Sequence, residues 1–195
     1  MGLFKNLINK LSKKSNKELQ NLSKQAQAWY RQAAVITKDF EKTPQQFVNG
    51  ITQDRVTKIL PGNLYLYGYD AKWKDILPFY DRYPLVFPFR KLPEGFIGLN
   101  LHYLPLHLRI ELFDGLMEFK NNKNMNETTQ LKFSWALITG LSKYKLAEPC
   151  VHRYLNSHLR SPLRLIKPED WEKAMLLPVE KFTGASKQEV WRMVK

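Results

Sequence analysis

Three aspartates, Asp70, Asp75 and Asp81, fall within one short stretch of the chain. Carboxylates gathered this way could hold magnesium against a scissile phosphate, the chemistry of a nuclease. Such a site also wants acidic and lysine partners on neighbouring strands, and no Asp…Glu-x-Lys arrangement follows. Asp81 stands beside Arg82, which reads instead as a local ion pair fixing a loop. The histidines, His102, His107, His152 and His158, offer a second possibility. His102 and His107 flank Leu104-Pro105 and could face each other across a corner, but a metal needs further donors. The only thiol is Cys150, and neither HExxH nor CxxC occurs. Structural histidines are therefore expected, with no metal and no cofactor. GxxxxGK[ST], GxGxxG and GxSxG are also missing, which argues against nucleotide hydrolysis, dinucleotide chemistry and serine hydrolysis. The expectation is a protein that is not an enzyme. A metal-dependent nuclease acting through Asp70, Asp75 or Asp81 is a rival reading.

Phosphate binding without catalysis has more residues behind it. Lys10, Lys13, Lys14, Lys17, Lys24 and Arg31 recur through the N-terminal part, and Lys17, Lys24 and Arg31, seven apart, share one helical face. A second group, Arg153, Arg160, Arg164 and Lys167, surrounds the Ser161-Pro162 break. A charge run is most often only a solvated face. Here Trp29, Tyr30 and Tyr154 are interleaved with the bases, a mixture that can hold phosphates and stack on nucleobases. The formal net charge is +13. Residues 1–43 carry nine Lys/Arg against three Asp/Glu and residues 121–195 thirteen against seven, so each flank is +6. The middle, 44–120, has nine against eight. Cationic arms on a neutral centre look for polyanions, with salt-sensitive affinity from counterion release. An anionic membrane or an acidic protein surface fits the same charge, as does a merely soluble basic protein.

The elements that must position these residues can be read from periodicity. Leu3, Phe4, Leu7, Ile8 and Leu11 form one face of a helix over 2–12, read as packing on its own domain or a neighbouring subunit in preference to a membrane. Ser15 and Glu18 make a capping box for a second helix running to Lys42, and Thr43-Pro44 starts a short third. From Pro61, leucines alternate with Tyr65, Tyr67 and Tyr69, the period of a strand with two different faces. Asp70–Pro78 reads as a loop, Pro84–Phe89 and Phe96–Leu101 as strands, with Pro88 and Gly98 marking a bulge, an edge or a close backbone approach. After Pro105 the pattern is helical: LHLRIELFDGLMEFK, then Glu127–Lys143 capped by Asn126, then Pro149–Leu159 as a short helix. LRLI is a short extended segment, Pro168 starts a helix ending near Leu177, and Ser186 caps the last one. The fold class is α+β. A basic helical arm (1–60) leads into a small, curved, SH3-like β-barrel (61–104), with a helical part (105–195) packed on it. One cysteine excludes an internal disulfide, no apolar run is long enough to span a membrane, and no secretory signal is recognisable.

The segment Leu77-Pro78-Phe79-Tyr80-Asp81-Arg82-Tyr83-Pro84-Leu85-Val86 and the segment Gly95–Pro105, GFIGLNLHYLP, resemble the YYDRFPLV-like and GFLGLNLHYLP-like motifs of a family in T-even-type tailed phages (myoviruses). The closing LLPVEKFTGASKQEVW is similar too, and the resemblance covers about residues 61–192. That family is one of DNA end protector proteins. The resemblance implies a virion protein near the portal, acting in head completion. It would sit on the double-stranded ends of packaged DNA and shield them from host exonucleases at injection. Other expected partners are phage head and portal proteins and further copies of itself, with the host cytoplasm as the place of assembly. The motif residues Tyr80, Phe96, Leu99 and Tyr103 are read as fold-defining, and none carries a catalytic role. A structural neck, tail or baseplate component docking acidic neighbours is the rival non-enzymatic reading.

Overall fold

The computed structural model describes residues 55–120, 124–171, 174 and 180–194. The helices expected over 2–12, 15–42 and after Thr43 lie outside the described residues, as does the end of the helix expected to follow Pro168.

Two short strands, β1 (Arg55–Val56) and β2 (Leu64–Leu66), precede the loop that leads to β3 (Tyr80–Asp81). β4 (Leu85–Leu92) and β5 (Gly95–Asn100) form a hairpin, and a 3₁₀ turn (Leu101–Tyr103) hands the chain to α1 (Leu106–Lys120) and α2 (Glu127–Leu141). Then come β6 (Val151–Leu155), β7 (Leu163–Ile166), β8 (Phe182–Thr183) and α3 (Lys187–Arg192). Six strands make one antiparallel sheet in the order β1-β7-β2-β4-β5-β6, and β3 pairs with β8 apart from it.

Mixed helix and strand content agrees with the α+β expectation, but the sheet is open and does not close into a barrel. Closure would need the first and last strands to pair. Instead the sheet widens sideways: β6 adds to β5, and β7 slots between β1 and β2. The residues expected to bend a barrel do bend the hairpin. Pro88 sits opposite Gly98, and the register shifts between Pro88 and Arg90, a bulge that absorbs the missing proline N–H. The second correction is Pro149–Leu159, expected as a short helix. Its Val151 and Tyr154 pair with β5 as β6, and the 3₁₀ turns Lys145–Cys150 and Asn156–His158 bracket that strand. The unpaired edge of β5 overrode a weak helical pattern.

Alternation sets the two faces. Leu64, Leu66, Leu85, Phe87 and Leu99 pack with Leu112 and Leu116 of α1, Leu137, Ile138 and Leu141 of α2, and Trp171. Tyr65, Tyr67, Tyr69, Val86, Phe96 and Tyr154 form a separate aromatic cluster on the opposite face. A one-residue slip would exchange tyrosines for leucines along the whole strand. Both faces are buried, so the slip would put tyrosine hydroxyls among the leucines packed under the helices. α2 begins at the expected cap, where Asn126 Oδ1 accepts from Thr129 N at 2.9 Å. Ser186 and Glu189 close a full capping box on α3. No helix among the described residues is long and apolar enough to cross a membrane.

Candidate nucleic-acid interface

The chain leaves the sheet after β2 through Tyr67-Gly68-Tyr69 and is tied to the corner after β6. Gly68 N donates to Ser161 Oγ (2.7 Å), Arg160 N to Gly68 O (2.8 Å), and Asp70 N to His158 O (3.1 Å). The loop beyond then closes on itself, with Ile76 N and Leu77 N both donating to the Trp73 carbonyl at 3.0 and 2.8 Å. Because the backbone is satisfied locally, its apolar side chains are left outside: Trp73 is 59% exposed and Ile76 76%. Leu77 and Met193 are exposed as well and line the same cleft as Trp73. Large apolar groups gathered around one opening mark a contact surface rather than scattered exposure.

That cleft has a volume of about 490 Å³. Tyr69, Tyr103 and Tyr154 form its buried lining, half-buried His152, Phe79 and Tyr80 its wall, and exposed Lys72 and Arg153 also line it. Beside it, sharing Tyr69 and Tyr80, is a second depression of about 430 Å³ with a different character. Lys74, Arg82, Arg160, Asp70 and Ser161 line it, three cations to one acid. Asp70 Oδ2 lies 3.1 Å from both Lys74 Nζ and Arg160 Nη2, and Tyr80 OH donates to Oδ1 at 3.2 Å. Lys74, Arg160 and Tyr80 together hold the Asp70 carboxyl below its ordinary range. Arg82 is exposed, and no carboxylate among the described residues pairs with it. Adjacent stacking and cationic surfaces are what a nucleotide needs, one for its base and one for its phosphate.

The residues singled out as candidate phosphate and base contacts are placed unequally. Lys10, Lys13, Lys14, Lys17, Lys24 and Arg31 lie outside the described residues. Arg153 is exposed and pairs with Glu94 at 3.3 Å; Arg160 is exposed and pairs with Asp70. They open on the two neighbouring cavities, Arg153 on the cleft and Arg160 on the depression. Lys167 is exposed at the end of β7. Arg164 is only 7% exposed within β7, and Tyr154 only 4%, packed edge-on against Tyr67 and Tyr69 at 5.6 and 5.0 Å. A ring so enclosed belongs to the core, with little face left for a base.

Trp73, Lys74, Tyr80 and Arg82 were not singled out by sequence reasoning as contacts. The signal was present, because Trp73, Ile76 and Leu77 are large apolar residues in a stretch read as a loop, where burial is not expected.

The aspartates and histidines do different work from one another. Asp75 is exposed, and Asp70 is held by its cations. Asp81 does not pair with Arg82. It turns inward, where Oδ2 lies 2.7 Å from His102 Nδ1 and accepts from Asn100 Nδ2 at 3.1 Å. Oδ1 accepts the backbone N–H of Tyr83 at 3.0 Å. The His102 carbonyl in turn accepts from Arg109 Nη2 (3.0 Å) and Trp191 Nε1 (2.8 Å). Arg109 reaches Glu180 at 3.5 Å. Burial alone would raise the Glu180 carboxyl, but Arg109 and His102 outweigh it and hold it low. This network, buried at Asp81, Asn100, His102 and Arg109, ties the β3 segment to the β5–α1 corner and the C-terminal helix. Burial pushes the Cys150 thiol up to about 12 and His152 down to about 4, so neither is poised as nucleophile or general base at neutral pH. Among the described residues no group of three His, Cys, Asp or Glu gathers as a metal site.

No curated protein and no solved structure matches the chain. The family of the phage T4 terminal DNA protecting protein does match, over residues 5–194. That span takes in the loop and strand carrying Tyr80 and Asp81, the Gly95–Pro105 corner and the C-terminal helix that the buried network joins. It agrees with the resemblance read from those motifs. The chain belongs to the phage T4 terminal DNA protecting protein family.

Proposed function

We propose that this protein binds the ends of double-stranded DNA packaged in a phage virion. There it shields them from host exonucleases, without catalysis, through head completion and injection. The observation that carries this reading is the family match over residues 5–194. The charge is in accord with it: a formal +13, of which +6 belongs to residues 1–43. In this reading the arm, residues 1–60, supplies phosphate contacts through Lys10, Lys13, Lys14, Lys17, Lys24 and Arg31. The remainder forms the platform that meets the terminus, with phage head or portal proteins, or further copies of the chain, as neighbours.

Arg153 and Arg160 can join the phosphate contacts despite their acidic partners. Exposed ion pairs contribute about 0–1 kcal/mol, so a phosphate close by can take over either guanidinium. Lys167, exposed just past the end of β7, is a further candidate. Arg164 and Tyr154 support it from within.

The test is a protection assay on linear duplex DNA with a processive exonuclease. Added protein slows degradation at low salt, and the protection falls steeply as salt rises, because phosphate contacts release counterions. Degradation at an unchanged rate under saturating protein at low salt overturns the proposal.

A further inference from the structure

We infer that the paired cavities beside Tyr80 form a seat for the last nucleotide of a DNA end, its base unpaired. The inference rests on the end-binding reading and deepens it, because it says which part of the end is held and where. The cleft of about 490 Å³ presents Trp73, Leu77 and Met193 among its exposed residues, with the rings of Tyr69, Phe79, Tyr103 and Tyr154 in its lining and the Arg153–Glu94 pair beside them. The depression of about 430 Å³ presents Lys74, Arg82 and Arg160. Tyr69 and Tyr80 line both, so a ligand lying across them has one apolar and one cationic end.

A nucleotide has that polarity. The base is flat and apolar-faced, and stacks on an aromatic ring whatever its identity, while the phosphate seeks guanidinium and ammonium groups. A base within an intact duplex is already stacked on both sides and has no face to offer. The base at a terminus, frayed or on an overhang, has one. The site would thus tell an end from a continuous duplex without reading sequence. Asp70 pre-positions two of the cations, since Lys74 and Arg160 both reach its Oδ2 at 3.1 Å. Arg82, which no described carboxylate neutralises, is the group most available to a phosphate. Lys72 lies 5.1 Å from the Trp73 ring and adds positive charge beside the stacking surface.

The experiment compares full-length protein with Trp73→Ala and Arg82→Ala. Binding is measured to a linear duplex carrying a short single-stranded overhang and to the same sequence as a closed circle. Both positions are exposed, and Arg82 holds its neighbours through backbone groups that alanine retains, so thermal melting should be unchanged. The inference predicts that each substitution weakens binding to the overhang end and leaves the circle as before. For Trp73→Ala the loss is roughly fivefold to a hundredfold, the range for one base–aromatic stack. If the unaltered protein prefers ends and both variants keep that preference in full, this seat is wrong while end binding stands. If the unaltered protein holds ends and circles alike, end recognition itself fails and the seat fails with it.

Discussion

Asp81 and His102 give the clearest prediction at the level of single side chains. They sit 2.7 Å apart with side chains 1% and 0% exposed. Without His102, Asp81 keeps Asn100 and the Tyr83 N–H but loses its shortest partner inside the core, so His102→Ala should cost about 1–3 kcal/mol, read as a lowered denaturant midpoint. An unaltered midpoint would remove the pair from the account of the fold. His102 was legible as structural because no ligand set surrounds it in the sequence. Its partner was not, since Asp81 lies 21 residues away and the adjacent Arg82 offered a simpler local pairing. His152 makes a prediction about pH. Burial depresses it from 6.5 to about 4 in the folded protein, so the unfolded chain binds more protons between those values. Its contribution is therefore complete above pH 6.5 and lost as pH falls toward 4. The melting temperature should drop across that window, and His152→Phe should flatten the drop; a curve unchanged by the substitution counts against it.

At the level of strands and helices, two glycines decide how closely backbones meet. A Cβ on Gly95 would lie 1.9 Å from the Tyr154 carbonyl oxygen, and one on Gly98 2.3 Å from Val86 Cγ1. Gly95→Ala must therefore push β5 and β6 apart, a backbone displacement that should cost more than about 2 kcal/mol. The destabilisation would be visible in a chemical melt and in faster amide exchange along β6; exchange unchanged from the parent would contradict the close approach. Most elements could be read from the residues. The Leu/Tyr alternation of β2, the bulge signalled by Pro88, α1, α2 and the Asn126 and Ser186 caps all follow from periodicity and local hydrogen bonding. The open sheet could not be read so, because pairing between β5 and β6 joins residues some 55 apart and leaves no local trace. The same holds for the candidate site. Its loop was visible, yet the two cavities exist only because Gly68–Asp70 dock against His158–Ser161.

For the molecule as a whole, affinity should be mainly electrostatic and the choice of an end mainly geometric. Replacing Lys13, Lys14, Lys17 and Lys24 by Gln should flatten the dependence of log K on log salt by roughly 0.9 for each phosphate no longer neutralised, with the preference for ends kept. A slope identical to the parent's would take those lysines out of the interface. If the protein acts at DNA ends, the amount bound should follow how many ends there are. The most direct test cuts one plasmid into few or many linear fragments at constant mass and titrates each with protein. The protein needed for full exonuclease protection should rise in proportion to the number of ends. A requirement that follows total base pairs, equal for both digests, would contradict it.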